Sequence, residues 1–304
     1  MNIVSLLPSA TEIVCALGLG EQLVGVSHEC DFPDEIVGRP VLTEAKIDTT
    51  AGAASIDGAV RRLVRDGLSV YRIKTELLEQ LQPDVIVTQD QCAVCAVSYD
   101  EVVAATEQSL RRPVRIVSLK PARLADIFND IERVADAVDR HEAGIACTTH
   151  VHARLDAIRS RAGVVRSRPR VACIEWTDPL MAAGNWVPEL VELGGGTYGL
   201  APAGGHSPML SWEALLAYAP DVVIVMPCGF TLAQTERELP RLTQRPEWAQ
   251  LPAVRNRRAY AVDGNAYLNR PGPRIADSAE LLAGLIQPGF FAAKVPADSY
   301  MRIE

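Results

Sequence analysis

The chain has 304 residues, 48% of them hydrophobic and 22% charged, and its formal net charge is -8. That length accommodates two domains with separate cores, and the acidic balance excludes a nucleic-acid partner, which would need a basic face. No apolar run approaches the roughly 20 residues of a membrane span, and Met1 to Ser5 lack the positive charge of an export leader, so the expectation is a cytoplasmic monomer, periplasmic only as a processed form.

The first predicted element is a strand over residues 2–6. A helix follows from a capping-box pattern, Ser9-Ala10-Thr11-Glu12, and stops at Gly18 and Gly20. A second strand covers 23–27. Residues 38–71 are polar and helix-capable around 59–64, which reads as a surface insertion. An amphipathic helix beginning near Glu76 ends at Pro83-Asp84, and an apolar β-branched strand, 85–88, comes next. A helix over 99–110 and a strand over 114–119 complete this half, and the βα alternation favours a mostly parallel sheet.

Leu124, Ile127, Phe128, Ile131, Val134 and Val138 recur at helical spacing. After a break near Asp139, Ile145, Val151, Leu155 and Ile158 continue the period. The second of these helices, 141–162, would be about 30 Å long and would act as a stiff strut. The expected organisation is an N-terminal α/β lobe (1–138), a connecting helix (139–166) and a C-terminal α/β lobe (167–304), with a ligand cleft between the lobes.

In the second half a strand over 170–174 leads to a helix from Pro188 that ends at Gly194-Gly195-Gly196. This glycine run follows a helix rather than a strand, so it is not a phosphate-binding turn. Ser211 caps a helix over 212–218. Strands over 222–225 and 259–262 and a helix over 273–286 follow, and the residues after 288 read as a loose tail. Residues 76–92 (ELLEQLQPDVIVTQDQC) and 213–229 (EALLAYAPDVVIVMPCG) repeat one plan: helix, Pro-Asp, apolar strand, cysteine-bearing loop.

The segments SLLPSATEIVCALGLG, LVGVSHECDFP, LEQLQPDVIV, WEALLAYAPDVVIV and GPRIADSAELLAGL run in this order from residue 5 to 285. In them the chain resembles the substrate-binding proteins of ABC importers for cobalamin and iron chelates. The resemblance implies two α/β lobes, a rigid helical backbone and non-catalytic binding of a small ligand. It also implies docking on a transporter permease through a surface glutamate on each lobe, here Glu76 and Glu213. An acid in a first helical turn also complements the helix dipole. The aromatic ligand contacts of the cobalamin-binding members fall on Glu29, Glu44 and Gln89, none of which is aromatic, and a further tryptophan is replaced by Tyr267.

Ligands of parallel α/β sheets bind beyond the carboxyl ends of the strands. That rule selects the loops around 8–9, 28–32, 89–98, 175–186, 226–230 and 263–270. Within them Ser9, His28, Glu29, Gln89, Trp176, Trp186, Phe230, Tyr267 and Arg270 are the candidate ligand-binding residues. Trp176, Trp186, Phe230 and Tyr267 suit a flat corrinoid or porphyrin-like face, Arg270 suits a carboxylate or phosphate, and His28 suits the metal of a chelate. Alternation along an extended chain would put His28 and Cys30 on one side and Glu29 on the other.

Cys92 and Cys95 have metal or redox spacing, and His28 and Cys30 could complete a zinc set. The alternative function is therefore a cytoplasmic metal-binding or thiol-redox protein on the same scaffold. Cys15, Cys147 and Cys173 fall in predicted helices or a strand and read as small core residues. An enzyme with Cys228 as nucleophile and His206 or His28 as base is a third reading, but no catalytic residues are expected.

Overall fold

The computed structural model describes residues 1–66, 68–90, 97, 99–110, 112–291 and 297–304. They form two units. The first comprises Met1–Ala51, Ser55–Pro121 and Ala125–His150, and the second Gly52–Ala54, Ala122–Leu124 and Val151–Glu304.

In the first unit the strands are β1 (Ile3–Ser5), β2 (Leu23–Val26), β3 (Thr43–Ala45), β4 (Tyr71–Ile73), β5 (Val85–Gln89) and β6 (Arg115–Leu119). The order β2-β1-β5-β6 makes a parallel sheet. All five residues of β5, Val-Ile-Val-Thr-Gln, are buried, as a strand covered on both faces requires. Val4, Leu6, Ile86, Leu78 and Val102 fill the core on one face. The insertion is more ordered than its polarity suggested: β3 and β4 pair antiparallel on either side of the helix Ala53–Arg65.

The first helix, Pro8–Ala16, does not form the expected capping box. Its cap is Leu7, with proline in the first turn, because the fixed φ of Pro8 starts the helix ahead of Ser9. Thr11 instead donates to Ser5 Oγ at 2.8 Å. Asp139, at φ +56°, breaks the helical run between Leu124–Ala137 and His141–Ala162. The division between the units falls inside the latter helix, at His150 and Val151.

The second unit contains β7 (Val171–Thr177), β8 (Leu180–Ala182), β9 (Val222–Val225), β10 (Ala259–Val262) and β11 (Tyr300–Arg302) in the order β11-β10-β9-β7-β8. The three central strands are parallel, and the edge strands β8 and β11 are antiparallel. The C-terminal residues are thus a sheet edge rather than a loose tail, held by Tyr300, Met301 and Arg302 on β10 and by the buried Ile303. The glycine run serves packing. A Cβ on Gly194 would stand 3.1 Å from Ala283 Cα of the helix Ile275–Ile286, and one on Gly196 would stand 2.8 Å from Val171.

The repeated Pro-Asp has one structural task in both units. Each preceding helix ends in a left-handed residue, Gln82 (φ +42°) or Ala219 (φ +47°). Asp84 then accepts from the Asn2 backbone N–H at 2.7 Å, and Asp221 from that of Arg170 at 2.8 Å. Asn2 and Arg170 are the residues just before β1 and β7.

Candidate functional site

In the first unit the chain leaves β2 through a turn closed by Cys30 N–H on Ser27 C=O at 3.1 Å. The turn removes the extended alternation on which the side assignment of His28, Glu29 and Cys30 rested. Glu29 joins His28, its Oε1 3.1 Å from His28 Nε2, whereas Cys30 Sγ lies 3.0 Å from Thr11 Oγ1. The hydroxyl of Thr43 in β3 takes the His28 backbone N–H at 3.0 Å, meets His28 Nδ1 at 2.7 Å and donates to Ser27 Oγ at 3.0 Å. Tyr71 in β4 sets its ring 5.3 Å from the imidazole. Thr43 and Tyr71 come from the insertion, whose composition offered no sign of this role.

Ser9 and Gln89 are both buried, at a helix start and a strand end. Cys92 and Cys95 lie outside the described residues. Among the described residues no group of three or more His, Cys, Asp or Glu side chains could hold a metal ion, so His28 and Cys30 alone do not make a zinc site. Nor, among the described residues of the second unit, does a hydrogen bond link the free thiol of Cys228 to His206.

In the second unit Trp176, near the end of β7, packs edge-on against Phe230 beyond β9, with ring centroids 5.2 Å apart. Its Nε1 is buried and has no hydrogen-bond partner among the described residues. Beside it Glu175 sits at a bulge between β7 and β8. Ser207 Oγ donates to Glu175 Oε2 at 2.7 Å and accepts from the Gly184 N–H at 3.1 Å. Burial pushes the Glu175 carboxyl above the usual range, and the Ser207 and Gly184 hydrogen bonds oppose that shift without cancelling it. A glutamate inside the apolar run Cys-Ile-Glu-Trp was the available sequence signal, yet the residue was not among the candidates.

Two further candidates lie in the interior. Trp186 is 6% exposed and gives its Nε1–H to Leu268 C=O at 3.0 Å, so it is a core tryptophan at the start of the helix Val187–Leu193. Arg270 is 2% exposed and donates to Asn265 Oδ1 at 3.0 Å, which commits its guanidinium to the interior. In both cases a loop position in sequence is an interior position in space. Tyr267 is half-buried, its hydroxyl 2.9 Å from Ser299 Oγ and its ring under Arg274 at 6.0 Å. Glu76 and Glu213 are exposed in the first turns of their helices. The Glu213 carboxyl is held below its usual range by its own backbone N–H and by Ser211.

Residues 3–266 match a family model described as periplasmic binding protein. The vitamin B12-binding protein of Vibrio cholerae serotype O1 is 27% identical over 281 residues, spanning 92% of this chain and 86% of that protein. An uncharacterized ABC transporter substrate-binding lipoprotein of Bacillus subtilis, YvrC, is 23% identical over 296 residues, spanning 95% and 81%. Among solved structures, the periplasmic heme-binding protein RhuT of Roseiflexus sp. RS-1 superposes with a TM-score of 0.70 at 24% identity, covering 95% of this chain and 98% of that one. The vitamin B12-binding protein BtuF of Vibrio cholerae gives 0.67 at 24% identity, covering 94% and 96%.

Proposed function

The chain belongs to the periplasmic binding protein family, and from that premise we propose that it is a non-catalytic binding protein for a corrinoid or metal-chelate small molecule. The observation that carries the reading is the Trp176–Phe230 pair at the carboxyl end of the second unit's sheet. A flat macrocycle laid on such rings is stabilised by about 25 cal/mol per Å² of apolar surface removed from water. In the first unit His28 and Glu29 stand at the corresponding strand end, beyond β2, and supply polar donors to a metal or to a ligand's rim. The names of the B12-binding relatives support a ligand of this class.

Absorbance titration with aquocobalamin, cobinamide and ferric chelates tests the proposal. A saturable spectral change with at least one of them is expected, and no change with any of them overturns it. The reading includes delivery to an ABC-importer permease through Glu76 and Glu213. Reversing both charges should leave ligand binding unchanged and abolish stimulation of a reconstituted transporter.

A further inference from the structure

The bulge in β7 turns two neighbouring side chains to one face of the second unit's sheet. Ile174 packs in one core cluster with Leu239 and Leu242 of the helix Leu232–Thr243. Three residues on, Thr177 reaches the same helix, its hydroxyl 3.2 Å from Glu238 Oε2. In a regular strand, residues three apart point to opposite faces. Here the register slips between Ile174 and Trp176, so both residues in between, Glu175 and Trp176, point away from that helix. The carboxyl stands beside the indole.

Glu175 is half-buried, as Trp176 is. Ser207 approaches it because residue 184 is glycine: a Cβ there would stand 2.7 Å from the Ser207 backbone nitrogen. The Ser207 oxygen accepts the Gly184 N–H, which leaves the hydroxyl proton for Glu175 Oε2. No side chain among the described residues donates to Oε1. The groups that bear on the carboxyl's charge are this hydroxyl and a backbone N–H, with no arginine or lysine among them.

Building on the chelate-binding reading, we propose that Glu175 sets the ligand class taken by the Trp176–Phe230 rings: a macrocycle with neutral amides on its rim is bound, and one with carboxylates there is refused. The rings cannot make this choice, because they bury the flat face of either macrocycle alike. An amide N–H on the rim donates to Oε1. A carboxylate on the rim meets like charge in a place that water screens poorly, or obliges Glu175 to take up a proton, and either is unfavourable. Arg270, the side chain that would have matched a carboxylate, lies in the interior. Selectivity is a difference between two affinities, and a repulsive contact widens it as an attractive one does. Glu175 is thus a specificity-determining residue that reads the ligand's rim and leaves its metal alone.

Two corrins with the same ring and cobalt but different rims test this: cobyrinic acid, which carries carboxylates, and its heptaamide. Absorbance titrations are run in added salt, which screens the chain's net charge of -8. The wild type should bind the heptaamide at least about tenfold more tightly. Glu175→Gln keeps the shape and an acceptor for Ser207 but removes the charge. It should narrow the preference about tenfold through tighter binding of the acid, with heptaamide affinity held within about threefold. A gain in binding cannot come from misfolding, and Glu175→Ala, a second variant without the charge, should narrow the preference likewise. Equal binding of the two corrins by the wild type, or tighter binding of the acid, overturns the inference and leaves the chelate-binding reading intact. So does a preference that survives both substitutions. If neither corrin binds while a ferric chelate does, the inference alone fails; if none of the three binds, both fail.

Discussion

Asp84 and Asp221 perform the same task 137 residues apart, each holding the backbone N–H just before the first strand of its unit's sheet (Asn2 at 2.7 Å, Arg170 at 2.8 Å). The repeat in the sequence is thus a repeated anchor as well as a repeated helix and strand. The Asn2 N–H is the main cause that holds the Asp84 carboxyl below its usual range. A depressed carboxyl stabilises the fold above its ordinary range, and that contribution is lost as pH falls through the lowered value. Asp84→Ala and Asp221→Ala should each lower unfolding stability by about 1 kcal/mol at neutral pH, measured by urea denaturation. For Asp84→Ala the deficit should shrink in acid; an undiminished deficit there would refute the anchor.

Asp130 behaves in the opposite sense. It is 1% exposed, and burial pushes its carboxyl up to about 6 despite Arg133 at 2.6 Å and the Lys120 N–H at 3.1 Å. A raised carboxyl contributes stability that is complete below the ordinary aspartate range and is lost as pH climbs through about 6. Asp130→Asn should therefore remove a fall in stability on the order of 2 kcal/mol between acid and neutral pH. Thermal melts at stepped pH check this, and an unchanged slope counts against it.

Ser207 gives Glu175 its side-chain hydrogen bond at 2.7 Å, which partly offsets the desolvation of that carboxyl. With the hydroxyl gone, desolvation acts with less opposition. Ser207→Ala should move the Glu175 titration further up, read from its side-chain carbon shift by NMR. A downward movement would mean that the Ser207 bond does not favour the charged carboxylate.

The two tryptophans near the second unit's strand ends should respond oppositely to substitution. Trp176→Ala removes the ring that packs edge-on against Phe230 and should weaken chelate binding about tenfold or more, with little effect on folding. Trp186→Phe leaves Leu268 C=O without its donor and should cost about 1–3 kcal/mol of stability with binding unchanged. Parallel titration and unfolding measurements on both variants test the assignment, and equal effects of the two on binding would contradict it.

Local physics was legible in the sequence: the order of the central parallel strands and the helices beside them, the break at Asp139 and the Ser211 cap, because each depends on periodicity or capping within a few residues. The resemblance to a family of binding proteins was legible for the same reason, since its motifs are contiguous. Which side chains meet was decided only by tertiary structure. His28 and Thr43 are 15 positions apart, Ser207 and Glu175 32, and Trp186 and Leu268 82. No local pattern encodes such pairings; they follow from strand register, from a bulge in β7 and from a turn that cancels alternation. The same long-range packing drew Trp186 and Arg270 into the interior and bound the C-terminal strand to β10. Local propensity chooses the elements, and burial of apolar surface with satisfied polar groups chooses their neighbours.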